Sequence, residues 1–238
     1  MNPSSIPTTS VIAAVSALPD FDPRKVPVVG VDAHLPAIAL QAQTPSALRA
    51  RFAHPPQWVP EVVLEAKFMQ REPARASVLL AIVLRDEPTV LLTERTVHLS
   101  THSGQVAFPG GRADPEDASP ADTALREAYE EVGLEQMFVE VLGALPTYET
   151  GSSFIITPVV ALVRPDCVLK PNPYEVADLF EVPLSFLLNP ANHQRHVLDF
   201  GGVRREWFSM PYQHGAKNHY IWGATAGMLR NFYRFMLA

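Results

Sequence analysis

Gly110 to Leu134 reads GGRADPEDASPADTALREAYEEVGL, and its punctuation predicts a turn, an acidic loop, a short helix and a stop. Upstream, the apolar run Val106-Ala107-Phe108 and Pro109 lead into the paired glycines Gly110 and Gly111, as a strand entering a tight turn would. Ser119 is placed to cap the helix, with Pro120 at the first helical position and Asp122 at the third. Gly133 then ends it at a C′ position. On the helix between them, Glu127, Glu130 and Glu131 stand at i, i+3 and i+4, a spacing that puts three carboxylates on one face. Like charges so spaced destabilise an isolated helix by about 0.2–0.5 kcal/mol per pair. Asp114, Glu116 and Asp117 crowd the loop just before it. A solvated helix face is one reading. The other is a divalent cation among the carboxylates, a hard ion such as Mg²⁺ that takes oxygen ligands and keeps waters for substrate phosphates. The glycine turn and the helix caps favour the cation.

The run Arg126-Glu127-Ala128-Tyr129-Glu130-Glu131-Val132-Gly133-Leu134 resembles the core of the Nudix box, G-x5-E-x7-R-E-U-x-E-E-x-G-U, with U a bulky apolar residue. Ala128 is small where U is expected. The spacing from Gly111 to Arg126 is one residue longer than the general pattern, which leaves Ala118 at the upstream Glu position and Asp117 or Glu116 as its substitute. A second stretch, from Leu91-Leu92-Thr93-Glu94-Arg95 through Gly104 to Phe108-Pro109-Gly110-Gly111, resembles the extra signature of coenzyme A pyrophosphatases within that superfamily. Thr96 stands where Ser or Ala is expected, and Ser100 where a second Arg is expected. The longer box spacing is also a feature of that subfamily.

The resemblance implies an α/β fold, a Nudix-type α/β/α sandwich with a mixed sheet. It implies metal-dependent hydrolysis of a nucleoside diphosphate linked to another moiety, coenzyme A or a derivative being the first substrate to test. Glu127 and Glu131 would ligate Mg²⁺ or Mn²⁺, with Glu130 completing the cluster or orienting the attacking water. Arg126 would hold a carboxylate in place through a bidentate contact, or be a plain surface ion pair. Glu175, in Pro173-Tyr174-Glu175-Val176, resembles the loop Glu that many family members bring over the site as general base; a solvated loop Glu is the alternative. Gly110 and Gly111 would approach the substrate, and Arg95 would bind a phosphate or sit as a strand-end surface residue. Tyr148 and Phe154 could flank a base or pantetheine arm, or pack in the core.

Two other readings stay open. The missing Arg at position 100 motivates ADP-ribose, a dinucleotide cofactor or a nucleoside triphosphate as substrate. A non-catalytic nucleotide sensor would use the fold for binding alone, although such sensors often lose box carboxylates that are all present here. His98 and His102, four residues apart, invite zinc, but no helical pattern joins them and the carboxylates prefer harder ions.

The chain has 238 residues, 47% of them hydrophobic, enough for one large domain or a domain plus an extension. A formal charge of −6 argues against a nucleic-acid platform, which carries a basic stripe. An anionic small-molecule nucleotide is still accessible, because a bound metal reverses the local field. Cys167 is the single cysteine, a core or surface thiol suited to a reducing compartment. No apolar run reaches membrane-spanning length, and no basic residue precedes the weakly apolar Val11 to Leu18. The expectation is a cytoplasmic enzyme with no membrane partner.

Residues 1–70 read as a Pro-rich extension: a linker, an arm packed on the domain, or a homodimer contact. One helix is expected there, from Pro45 to Phe52, capped by Thr44. Residues 71–238 read as the Nudix domain. Ser77 to Leu84 and Thr89 to Thr93 predict a hairpin, and further strands are expected near Phe138 to Leu145, Ile155 to Val163 and Val203 to Met210. Short and long helices are expected at Pro183 to Leu188 and Tyr220 to Leu237.

Overall fold

The computed structural model describes residues 21–67, 71–96, 104–200 and 202–238. Its centre is a mixed sheet built on strand β2 (Ala74–Val83), which is hydrogen-bonded in parallel to β8 (Phe154–Val163) and antiparallel to β3 (Thr89–Arg95). The short strands β4 (Val106–Ala107) and β5 (Gly110–Arg112) pair with β3 and β2. On the far side, β6 (Val139–Ala144) and β7 (Tyr148–Glu149) run antiparallel to β8, and β9 (Val176–Pro183) lies antiparallel to β3.

The two faces of β2 explain its continuous apolar sequence. Side chains alternate along a strand. Leu79, Ala81 and Val83 face Ala124, Ala128 and Val132 of helix α2 (Pro120–Val132). Val78, Leu80 and Ile82 face a larger core closed by helix α4 (Gly223–Leu237), with Met228, Leu229 and Phe232 buried in it. Both faces are covered, so nothing in the strand needs to be polar.

A second, antiparallel sheet completes the larger core. Its order is β1 (Val28–Val31), β10 (Gln194–Phe200), β11 (Val203–His214) and β12 (Lys217–Trp222). Two short helices, α1 (Pro45–Ala53) and α3 (Leu184–Leu187), fill corners. Of the expected elements, β2, β3, β6, β8, β11, α1, α2 and α3 lie within a few residues of their predicted bounds. The long C-terminal helix begins at Gly223, not Tyr220, because Tyr220 to Trp222 are the end of β12.

The described part of the N-terminal extension is an arm packed on the rest of the chain. β1 adds an edge strand beside β10, and Leu48 is fully buried. Helix α4 supplies the anchor: Arg230, 1% exposed, pairs with Asp32 at 2.8 Å and with Glu61 at 2.7 Å. Arg195 joins both carboxylates, and Asn231 brackets the main chain of Val62. Among the described residues no helix is long and apolar enough to cross a membrane.

Candidate active site

The caps expected for α2 are in place. The Ser119 hydroxyl accepts from the Asp122 amide, and Gly133 adopts the left-handed conformation with φ 68°. The helix C-terminus is tied to the loop that follows β8, with the Lys170 and Asn172 amides donating to the carbonyls of Val132 and Glu131. That tie brings the loop carrying Glu175 beside α2.

A cavity of about 450 Å³ opens between α2, the glycine turn and the second sheet. Glu127, Glu131, Glu175, Arg95, Gly110 and Gly111 all line it. Glu131 is 3% exposed; its carboxylate accepts from the Gly110 amide at 3.1 Å and faces Arg95 Nη1 at 3.4 Å. Burial pushes its carboxyl up to about 7, against the Gly110 bond and Arg95, and the nearby Glu175 and Glu127 add to the rise. Burial likewise raises Glu127, although Arg126 Nη1 donates to it at 3.0 Å. Glu175 is held by Asn172, whose Nδ2 donates to it at 3.1 Å while its Oδ1 accepts from the Tyr174 amide.

The two glycines are required by space. A Cβ on Gly111 would stand 2.3–2.4 Å from the Glu127 carboxylate, so the bare backbone is the seat of that group. A Cβ on Gly110 would meet the Ser77 carbonyl oxygen at 2.4 Å and the Val78 Cα at 2.6 Å. The donor set suits a hard divalent cation. It is all oxygen, and burial raises two of its carboxyls, which a bound cation would offset.

Three expected site residues take other positions. Glu130 lies on the helix flank, half exposed, with its carboxylate on Arg126 Nη1 at 3.3 Å and outside the cavity lining. The reason is angular: Glu131 falls about 40° from Glu127 around the helix, and Glu130 about 60° on the other side. Asp117 also turns away from the cavity. It is the bidentate partner of Arg126 at 3.1 and 2.9 Å, accepts from the Thr123 hydroxyl and the Asp114 amide, and is held well below the usual carboxylate range by Arg126. Arg126 itself also donates to the Arg112 carbonyl, so it knots the acidic loop to α2 and β5 and touches Glu127 with its remaining nitrogen. Tyr148 cannot flank a ligand: it is 2% exposed and its hydroxyl donates to Glu65. Phe154 does line the cavity. His98, Ser100 and His102 lie outside the described residues.

The aromatic wall was not foreseen. Trp207 and Trp222 from the second sheet, with Phe21 edge-on to Trp207, also line the cavity. Phe21 lies 90 positions before Gly111, and Trp207 and Trp222 lie 73 and 88 positions after Leu134; they carry no local motif, so only the folded chain joins them to the box.

A model of the NUDIX domain matches residues 73–211. The protein described as Uncharacterized Nudix hydrolase NudL from Yersinia enterocolitica serotype O:8 / biotype 1B is 45% identical over 155 residues, covering 65% of this chain and 77% of that one. Its namesake from Yersinia pestis (strain Pestoides F) is 43% identical over 171 residues, covering 71% and 83%. Among solved structures, the Nudix hydrolase RenU from M. smegmatis is 28% identical, with a TM-score of 0.39 over 48% of this chain and 71% of that one. The box residues, their place on a capped helix beside a glycine turn, and a domain match over more than half of the chain agree: the protein is an enzyme of the Nudix hydrolase family.

Proposed function

We propose that this enzyme hydrolyses the pyrophosphate of coenzyme A or a coenzyme A derivative, giving 3′,5′-ADP and 4′-phosphopantetheine. The supporting observation is a single cavity lined both by Glu127, Glu131, Glu175, Arg95 and the glycine turn and by the aromatic side chains of Trp207, Trp222 and Phe154. A pyrophosphate that carries a nucleoside on one side and a long, weakly polar arm on the other suits such a lining. The Leu91 to Gly111 signature points the same way.

Mg²⁺ or Mn²⁺ held by Glu127 and Glu131 would, when bound, neutralise charge on the phosphate oxygens. Arg95 adds a fixed cation beside Glu131 in the cavity. Glu175, oriented by Asn172, accepts a proton from a water. The water oxygen forms a bond to one phosphorus, the bridging P–O bond breaks, and two phosphate monoesters separate. Arg126 and Asp117 act through Glu127 as positioning residues.

Glu131→Gln keeps an oxygen to accept from Gly110, so it should fold normally and lose hydrolysis. A residual rate near wild type would reject the metal assignment. The aromatic wall also suits a stacked nucleobase, which keeps ADP-ribose, dinucleotides and nucleoside triphosphates in the comparison. A panel of these compounds and coenzyme A, with Mg²⁺ or Mn²⁺ and products identified by mass, tests the substrate. Preference for ADP-ribose would overturn the coenzyme A reading, and binding without turnover under either ion would favour a sensor.

A further inference from the structure

A second cluster of ligand-type side chains lies apart from the cavity. Glu94 on β3 and Asp178 on β9 stand directly opposite each other in the ladder, a like-charge pairing that destabilises a sheet unless something compensates it. His219 on β12 covers them from the second sheet. Its side chain is 2% exposed and its ring lies flat on Phe180, with centroids 3.6 Å apart and planes at 11°. Among the described residues neither ring nitrogen has a hydrogen-bond partner. Nδ1 is 3.6 Å from Glu94 Oε2 and Nε2 is 3.9 Å from Asp178 Oδ2, both too long for a hydrogen bond. A buried polar group left so is destabilising.

One ion takes one ring nitrogen, and the 3.6 Å between Nδ1 and Glu94 Oε2 has the size of two ligands that share an ion. Two ligands about 2.0–2.2 Å from a tetrahedral cation stand roughly 3.3–3.6 Å from each other. One ligand atom from each of Glu94, Asp178 and His219 lies within 4.8 Å of the other two. We propose that Glu94, Asp178 and His219 bind a first-row divalent transition-metal ion, Zn²⁺ by ligand chemistry, that staples the second sheet to the first.

One imidazole nitrogen and two carboxylates form a three-residue set, with water completing the sphere. Imidazole separates this site from the all-oxygen cavity, and none of the three residues lines that cavity. Successive side chains point to opposite faces of a strand, so Arg95 faces Glu131 while its neighbour Glu94 faces the second sheet. Lys217 competes as a counter-charge, its Nζ 2.7 Å from Asp178 Oδ2, but the side chain is 67% exposed and can swing into solvent when an ion enters.

The test uses the full chain carrying Glu127→Gln and Glu131→Gln, stripped with a chelator, so that cavity binding is removed. Zn²⁺ is followed by calorimetry and by melting temperature, and Co²⁺ by its visible absorption. One ion per chain, a raised melting temperature and tetrahedral Co²⁺ bands are expected. Adding His219→Ala should weaken Zn²⁺ binding by at least about 100-fold and remove the bands. Because that change empties a buried site, Glu94→Gln on the half-exposed rim provides the second variant and should also weaken binding at least about 10-fold. Unaltered Zn²⁺ stoichiometry and affinity in Glu94→Gln, or no ion bound by the parent, would overturn the proposal.

Discussion

Gly111 and Gly110 are neighbours with opposite reasons for lacking a side chain. At Gly111 the obstacle to a methyl group is the Glu127 carboxylate, the far end of a flexible chain. Gly111→Ala should therefore leave stability almost unchanged while displacing a ligand. Metal activation should weaken by about 10–100-fold, with activity recovering in part at higher Mg²⁺ or Mn²⁺. At Gly110 the obstacle is backbone of β2, which cannot yield cheaply. Gly110→Ala should destabilise the fold by about 1–3 kcal/mol, as overpacking does, before any effect on ligands is considered. Denaturant unfolding and metal-dependent kinetics on the two variants separate these outcomes. Equal stability losses would show that the Glu127 carboxylate is less free to move than its position at the end of a side chain implies. Residue types and spacing made Glu127 and Glu131 legible before folding. They did not distinguish Glu130, because an i, i+3, i+4 set spans about 100° of helix surface and only the packing of α2 shows which edge faces inward. Asp117 was legible as a carboxylate but not as the partner of Arg126, since that contact spans a loop.

Elements with their own punctuation were the legible ones. Helix α2 carries Ser119, Pro120 and Gly133 at its ends, and β2 and β3 are dense in β-branched and aliphatic residues on both faces. The second sheet was mostly illegible because it mixes classes of residue along each strand. β10, reading QRHVLDF, carries Arg195 and His196, both committed to tertiary partners: Arg195 to Asp32 and Glu61, His196 to Ser209 and the Val26 carbonyl. Neither commitment appears as alternation. The value of legible punctuation can be measured on α2. Ser119→Ala removes the oxygen that accepts from the Asp122 amide and should cost about 1 kcal/mol. Unfolding by denaturant should register that loss, while the activity of the folded fraction stays unchanged, because Ser119 lies outside the cavity lining. A fall in activity beyond the unfolded fraction would mean that the cap sets the height of Glu127 and Glu131 as well as the stability of the helix.

At the scale of the whole molecule, the arm, the second sheet and α4 meet at one buried imidazole. His193 is fully buried, and its tautomer follows from its neighbours. Arg230 Nη1 can only donate, so Nδ1 at 3.2 Å accepts; the Leu187 carbonyl can only accept, so Nε2 at 2.8 Å carries the proton. A second proton on Nδ1 would face a guanidinium that already holds Asp32 and Glu61. Burial, with the Arg230 charge behind it, pushes His193 from its ordinary 6.5 down to about 4. The unfolded chain takes up that proton near 6.5 and the folded chain only near 4, so the unfolded state binds more protons between those values. The contribution is thus complete above pH 6.5 and is lost as pH falls towards 4, a total on the order of 3 kcal/mol. Other groups titrate in the same range, so the measurement is a difference. His193→Gln can still donate to Leu187 and accept from Arg230 but carries no titratable ring. Between pH 7.5 and 4.5 the wild type should lose about 2–3 kcal/mol more unfolding free energy than this variant. Parallel pH profiles for the two proteins would mean that the folded chain tolerates an imidazolium beside Arg230, and that the arm is held less tightly than the Asp32, Glu61 and Arg230 network implies.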